Sequence, residues 1–173
     1  MSDVVAPVAA PWRAGVIEDF ARSELFERTF HEGMDLVEET AAYLDGSGRH
    51  DSKLLSRNAA LAYAAESMRL TTRLMQVASW LLVQRAVREG DMAPEAACDE
   101  SYRLGADPSG ARADTAREGL PTPLTELLGR SERLFERVRH LDRRMYVEAA
   151  ADEAEPHSVL AQMARLQDEF GTR

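Results

Sequence analysis

The sequence predicts an all-α protein: an antiparallel three-helix bundle with a long central helix, a flexible connector before the third helix and a short C-terminal amphipathic segment. Apolar residues recur at helical spacing in three segments. Cap and stop residues bound those segments, and no stretch alternates apolar and polar residues as a half-buried strand does. Composition agrees, with 45% hydrophobic and only 6% aromatic residues among 173. That mixture favours helices packed through Leu, Met and Ala, and the length suits one domain with a sizeable core.

Residues 1–22 are small, interrupted by Pro7 and Pro11, and without clear period, so they are expected to form a loose N-terminal arm. The bundle domain is expected over 23–151. Ser23 is a suitable N-cap for a first helix that stops at Asp45-Gly46-Ser47-Gly48. Phe26, Phe30, Gly33, Met34, Val37, Ala41 and Leu44 share one side of it; Leu25, Leu36 and Tyr43 make a weaker second stripe.

The second helix is expected after Asp51-Ser52 and to about Glu89-Gly90, with neither proline nor glycine inside. It would be ~55 Å long against ~33 Å for the first. Pro94 opens a short helix to about Leu104, and residues 105–120 have the composition of a flexible connector. Thr122-Pro123 starts the third helix, in which Leu127, Ser131, Leu134, Val138, Leu141 and Met145 repeat at heptad-like spacing to about Ala151. Residues 152–173 form a tail in which Ser158 caps a segment with Val159, Met163, Leu166 and Phe170 on one face.

Charge narrows the function classes. The net charge is −9, and Lys53 is the sole lysine. A nucleic-acid binder needs a dominant positive field, so none is expected as a partner. The longest apolar run, Leu74 to Val83, lies between Arg73 and Arg85, and a membrane span needs roughly 20 residues, so no membrane insertion is expected. The N-terminus lacks the basic and apolar blocks of a signal peptide. Cys98 stands alone, which fits a reducing cytoplasm. The first helix carries seven acids and one base and the second region six bases and three acids, giving complementary rims.

Reactive constellations are missing from the pattern. His31, His50, His140 and His157 lie in different segments, and Glu136 and His140 are four apart where a di-iron bundle uses three. Gly46-Ser47-Gly48 lacks phosphate-loop spacing, and Cys98 has no nearby base in sequence. Neither a cofactor, a metal nor a catalytic residue is therefore expected.

Three surface features remain. On a helical wheel Trp80 falls within about 40° of Glu66, Arg69, Arg73, Gln76 and Gln84, while Thr71, Met75, Ala78 and Leu82 point the opposite way and are expected in the core. Trp80 is thus expected to leave the main seam, to be covered by the connector or by a partner. Arg69, Arg73, Gln76, Trp80 and Gln84 form a candidate dimer or cargo surface. Arg130, Arg133, Arg137, His140 and Arg144 line one face of the third helix, either as a stripe for an acidic partner or as salt-bridge partners of the acidic first helix. Val159, Met163, Leu166 and Phe170 of the tail are a third candidate, for a protease-side contact.

The stretch LFERTFHEGMDLVEETAAYLDG, followed by GRHDSKLLSRNAALAYAAESMRLTTRLMQVASWLLVQRAVREG, closely resembles the alphaproteobacterial regulator of CtrA degradation family, known as RcdA. The resemblance covers about Leu25 to Met92 and, less specifically, the third helix. It implies a small helical homodimer without catalytic activity, acting as an adaptor for the ClpXP protease. In that family the adaptor joins protease primed by CpdR, a single-domain response regulator. It then binds cargo or the further adaptor PopA, which brings in CtrA, and the proteins gather at a pole of the cytoplasm. No catalytic motif carries over. A reading from a different class is a helical regulatory or scaffold dimer that binds a signalling protein and delivers nothing to a protease.

Overall fold

A serine hydroxyl that accepts from an amide three residues later opens two of the six α-helices among the described residues. Ser23 Oγ accepts from the Phe26 amide at 3.1 Å at the head of α2, Glu24–Asp45, and Ser56 Oγ accepts from the Ala59 amide at 3.3 Å at the head of α4, Arg57–Glu89. α4 closes at Gly90, whose φ of 82° suits a residue without Cβ. The computed structural model describes residues 11–108 and 117–148. The remaining helices are α1, Pro11–Ala21; α3, Ser47–Leu54; α5, Pro94–Ala97; and α6, Thr122–Arg143, which ends in a π turn at Arg144–Glu148.

The long helix begins later than expected. Leu55 and Ser56 are extended, so α3 is a separate helix and Ser56, not Ser52, is the cap. The loose arm is also corrected over Pro11–Ala21. Ala14, Ile17 and Ala21, spaced three and four apart, are buried where α1 meets α4 and α5. That short period is masked in the sequence by the proline that opens the helix. Residues 1–10 lie outside the described residues.

The three principal helices, α2, α4 and α6, form the expected all-α bundle, with their order set by the return path of the chain. Arg130 and Arg137 of α6 pair with Glu39 and Glu32 of α2, which places those two helices antiparallel. Arg73 meets Ser131 and Trp80 meets Asp142, so α4 and α6 run parallel. A parallel pair requires the intervening chain to travel back along α4. Arg103 bonds Asp142, Asp107 bonds Arg73 and Arg117 bonds Glu132 as it does so. The described ends of the connector, 105–108 and 117–120, are therefore fastened to the bundle, contrary to the expected flexibility; residues 109–116 lie outside the described residues.

The core lies where the three helices meet. Leu36, Phe26, Leu70, Leu81, Leu128 and Phe135 are almost fully buried. On α2 the buried face is centred on Phe26, Thr29, Gly33, Leu36, Thr40 and Tyr43, so Leu36 and Tyr43 of the stripe expected to be weaker join the core, while Leu25 and Ala41 stay exposed. A Cβ on Gly33 would stand 2.7 Å from Leu81 Cδ1, so glycine sets the approach of α2 to α4. On α6 the heptad-like seam packs as expected, with Leu127, Ser131, Leu134, Val138 and Met145 buried.

Candidate interaction surface

α4 presents its polar face to the interior. Glu66, Arg73, Trp80 and Gln84 are each no more than 2% exposed, which corrects the expectation that Trp80 and its neighbours form an outer patch. Of the five residues proposed there, only Arg69 and Gln76 keep partial exposure. For Arg73 and Trp80 the reason is that other elements supply hydrogen-bond partners, and a buried polar group so satisfied carries little penalty.

Asp142 is the hub of one set of contacts. Its carboxylate accepts from Trp80 Nε1 at 3.0 Å, from the Leu104 amide at 3.2 Å and from Arg103 Nη2 at 3.0 Å. Phe20 of α1 covers the Trp80 ring at a centroid distance of 5.7 Å. One layer along, Arg73 donates to Ser131 Oγ at 2.9 Å and to Asp107 Oδ1 at 3.2 Å, with Glu132 at 3.6 Å. Arg69 donates to the buried Glu66 carboxylate. Tyr146 donates to the Ala97 carbonyl at 2.7 Å. Burial, with the Asp142 charge adding to it, pushes its phenol up to about 12.

A second apolar face of α4 points outward. Leu61, Met68, Met75 and Leu82 are 66, 72, 65 and 51% exposed, so the expectation of Met75 and Leu82 in the core is corrected too. Four large apolar side chains seven residues apart make a row ~32 Å long, with exposed Thr71 and half-buried Ala78 between them. Grooves flank it. One of about 310 Å³ lies towards α2 and is lined by Val37, Ala41, Leu44 and Leu74. Another, of about 490 Å³, lies between α4 and Ser101, Tyr102, Arg103 and Gly105. An exposed apolar strip of this length is unusual on a monomer and is what a protein partner covers.

The arginine face of α6 divides. Arg137 grips Glu32 through two bonds of 2.7 and 2.8 Å, and Arg130 reaches Glu39 at 2.6 Å. Both thus serve the fold, as the salt-bridge reading expected. Arg133, His140 and Arg144 are exposed and make no ion pair among the described residues. The tail residues Val159, Met163, Leu166 and Phe170 lie outside the described residues. Among the described residues no group of three or more His, Cys, Asp and Glu is placed to hold a metal, and no helix is long and apolar enough to cross a membrane.

The family model described as Protein of unknown function (DUF1465) matches residues 17–170. A solved structure, RcdA from Caulobacter crescentus CB15, shares 73% sequence identity with a TM-score of 0.62, covering 75% of this chain and 98% of that one. This chain belongs to the RcdA family. No curated protein compared with it matches. For an RcdA-family protein the outer face of α4 is the candidate surface that local reasoning inverted. Its signal was present as the seven-residue repeat Leu61, Met68, Met75, Leu82, which a heptad search of this helix finds and a polarity count does not.

Proposed function

We propose that the protein is a non-enzymatic adaptor that binds cargo, or a further adaptor, and tethers it to primed ClpXP for regulated degradation of cell-cycle regulators such as CtrA. Membership of the RcdA family supports this reading, and the observation that carries it is the outward apolar row of α4. A tether needs a stable scaffold with adhesive surfaces; it acts by raising the local concentration of cargo at the protease. In this reading the row from Leu61 to Leu82 takes the place of the Trp80 patch as the surface for a second copy of the chain or for cargo. Arg133, His140 and Arg144 offer a site for an acidic partner, the CpdR-type regulator or PopA-type adaptor among the candidates. The C-terminal residues make the protease-side contact, and the assembly works in the cytoplasm at a cell pole.

Reconstitution tests this. With primed ClpXP and a CtrA-type cargo, adding the protein should shorten the cargo half-life, and Met68→Asp with Met75→Asp should remove that effect while helicity is retained. An unchanged cargo half-life with the natural protein would leave instead a regulatory scaffold without delivery.

A further inference from the structure

We propose that the outward row of α4, with the groove between it and α2, seats an amphipathic helix of a protein partner, its apolar stripe on the row and its Lys and Arg along the α2 edge. This deepens the adaptor reading, on which it rests, by naming the chemistry of the partner on that surface. The row has the form of half a coiled coil. Leu61, Met68, Met75 and Leu82 repeat at seven, and Ala64, Thr71 and Ala78 follow three residues after the first three of them. Large residues thus alternate with small ones in the two seam positions of a heptad, so a second helix can approach closely. The face also lacks charge. Between Arg57 and Arg85, α4 carries only Glu66, Arg69 and Arg73; Glu66 and Arg73 are buried, and half-buried Arg69 turns to Glu66.

The two edges of the row differ, and that difference sets the partner's charge. Acids stand on both flanks of α2. Glu32 and Glu39 face α6 and are taken by Arg137 and Arg130. Glu38 and Asp45 stand on the other flank, beside the groove: Asp45 lines it, and Glu38 comes seven residues earlier, directly after the lining residue Val37. Both are exposed; Glu38 makes no ion pair among the described residues, and Asp45 meets only the exposed Arg49, at 3.2 Å. Such a surface pair contributes little, so an incoming cation displaces it readily. The opposite edge holds Thr72, Ser79 and Tyr102, and its Arg103 is engaged by Asp142. A helix with apolar residues at heptad spacing and basic residues a heptad apart on one edge therefore matches shape and charge together. A second copy matches less well: laid antiparallel on the row about a two-fold axis, it brings its own Glu38 and Asp45 to the same edge, like against like. Met68 and Met75, unbranched and flexible, adapt to the details of the stripe they meet.

Fluorescence anisotropy of labelled synthetic peptides on the full chain tests the proposal. The probe is a three-heptad helix with Leu at the seam positions and Lys along one edge; its twin carries Glu in place of those lysines. The lysine peptide should bind about tenfold more tightly than the glutamate peptide in about 0.1 M salt. Glu38→Gln with Asp45→Asn should erase that preference. Asp19→Asn with Glu95→Gln, the same change of charge on exposed sites of α1 and α5, should keep it. Met68→Asp with Met75→Asp should abolish binding of both peptides while the circular dichroism stays the same. Equal affinity of the two peptides, a preference that follows total charge whichever acids are neutralised, or binding that survives the paired aspartates would overturn the proposal. So would a protein that binds neither peptide and sediments as a dimer dissolved by Met75→Asp, which assigns the face to a second copy. No protease enters this measurement, so its failure and that of the adaptor reading are separable.

Discussion

Trp80 shows how one side chain's environment is decided by residues far along the chain. Its indole N–H meets a carboxylate 62 residues away, and that carboxylate is held in turn by Arg103 and the Leu104 amide. Truncating Trp80→Ala should cost about 3 to 5 kcal/mol of unfolding free energy. Asp142→Ala should cost a similar amount, since it strands Arg103 and two N–H donors, and breaking a buried charged contact is worth about 3 to 5 kcal/mol. A Trp80→Phe and Asp142→Ala cycle by urea denaturation should show coupling of about 1 to 3 kcal/mol; additivity would mean that the bond contributes nothing. Tyr146 gives a pH signature. Its folded phenol holds its proton up to about 12, whereas the unfolded chain begins to release it near 10. Its contribution is therefore complete below pH 10 and is lost as pH rises through 12. Tyr146→Phe should make the urea midpoint fall less steeply across that window, with Tyr43 adding to the fall because its phenol is also raised, chiefly by burial.

At the scale of the element, α2 and α6 were legible because one face of each is apolar and the other charged, and the Ser23 cap of α2 and the Pro123 that opens α6 stand beside that pattern. α4 was legible as a helix but not in its orientation. It has large apolar residues on two opposite sides, Leu70, Leu74, Val77 and Leu81 inward and Leu61, Met68, Met75 and Leu82 outward, so hydropathy alone gives no single inner face. Ser131, Asp107 and Asp142 decide the matter by satisfying Arg73 and Trp80, and none of them is near α4 in sequence. Because the outward row stays largely exposed among the described residues, Met68→Asp or Leu82→Asp should change stability by no more than about 0.5 kcal/mol. The same substitutions should weaken self-association or cargo capture, as sedimentation and pull-down would read. A large loss of thermal stability would put these side chains in the core after all.

Across the whole molecule, the connector completes the fold. Arg73 and Glu132 anchor it through Asp107 and Arg117, so its composition, which reads as a loose loop, misled because the ion-pair partners lie on two other helices. Asp107→Asn with Arg117→Gln should raise hydrogen exchange in residues 99–108 by about tenfold while α2 amides stay protected. Equal protection in the variant would show that packing alone holds the connector. The parallel course of α4 and α6 has a consequence for the order of assembly. α2 and α4 can pair once residue 89 has been made, but the contacts that cover Arg73 and Trp80 join residues 58 and 62 positions apart. Such distant closures are slow steps. A growing chain therefore carries a wet tryptophan and an unshielded arginine until Asp142 leaves the ribosome, and during that interval both sides of α4 are open to wrong partners.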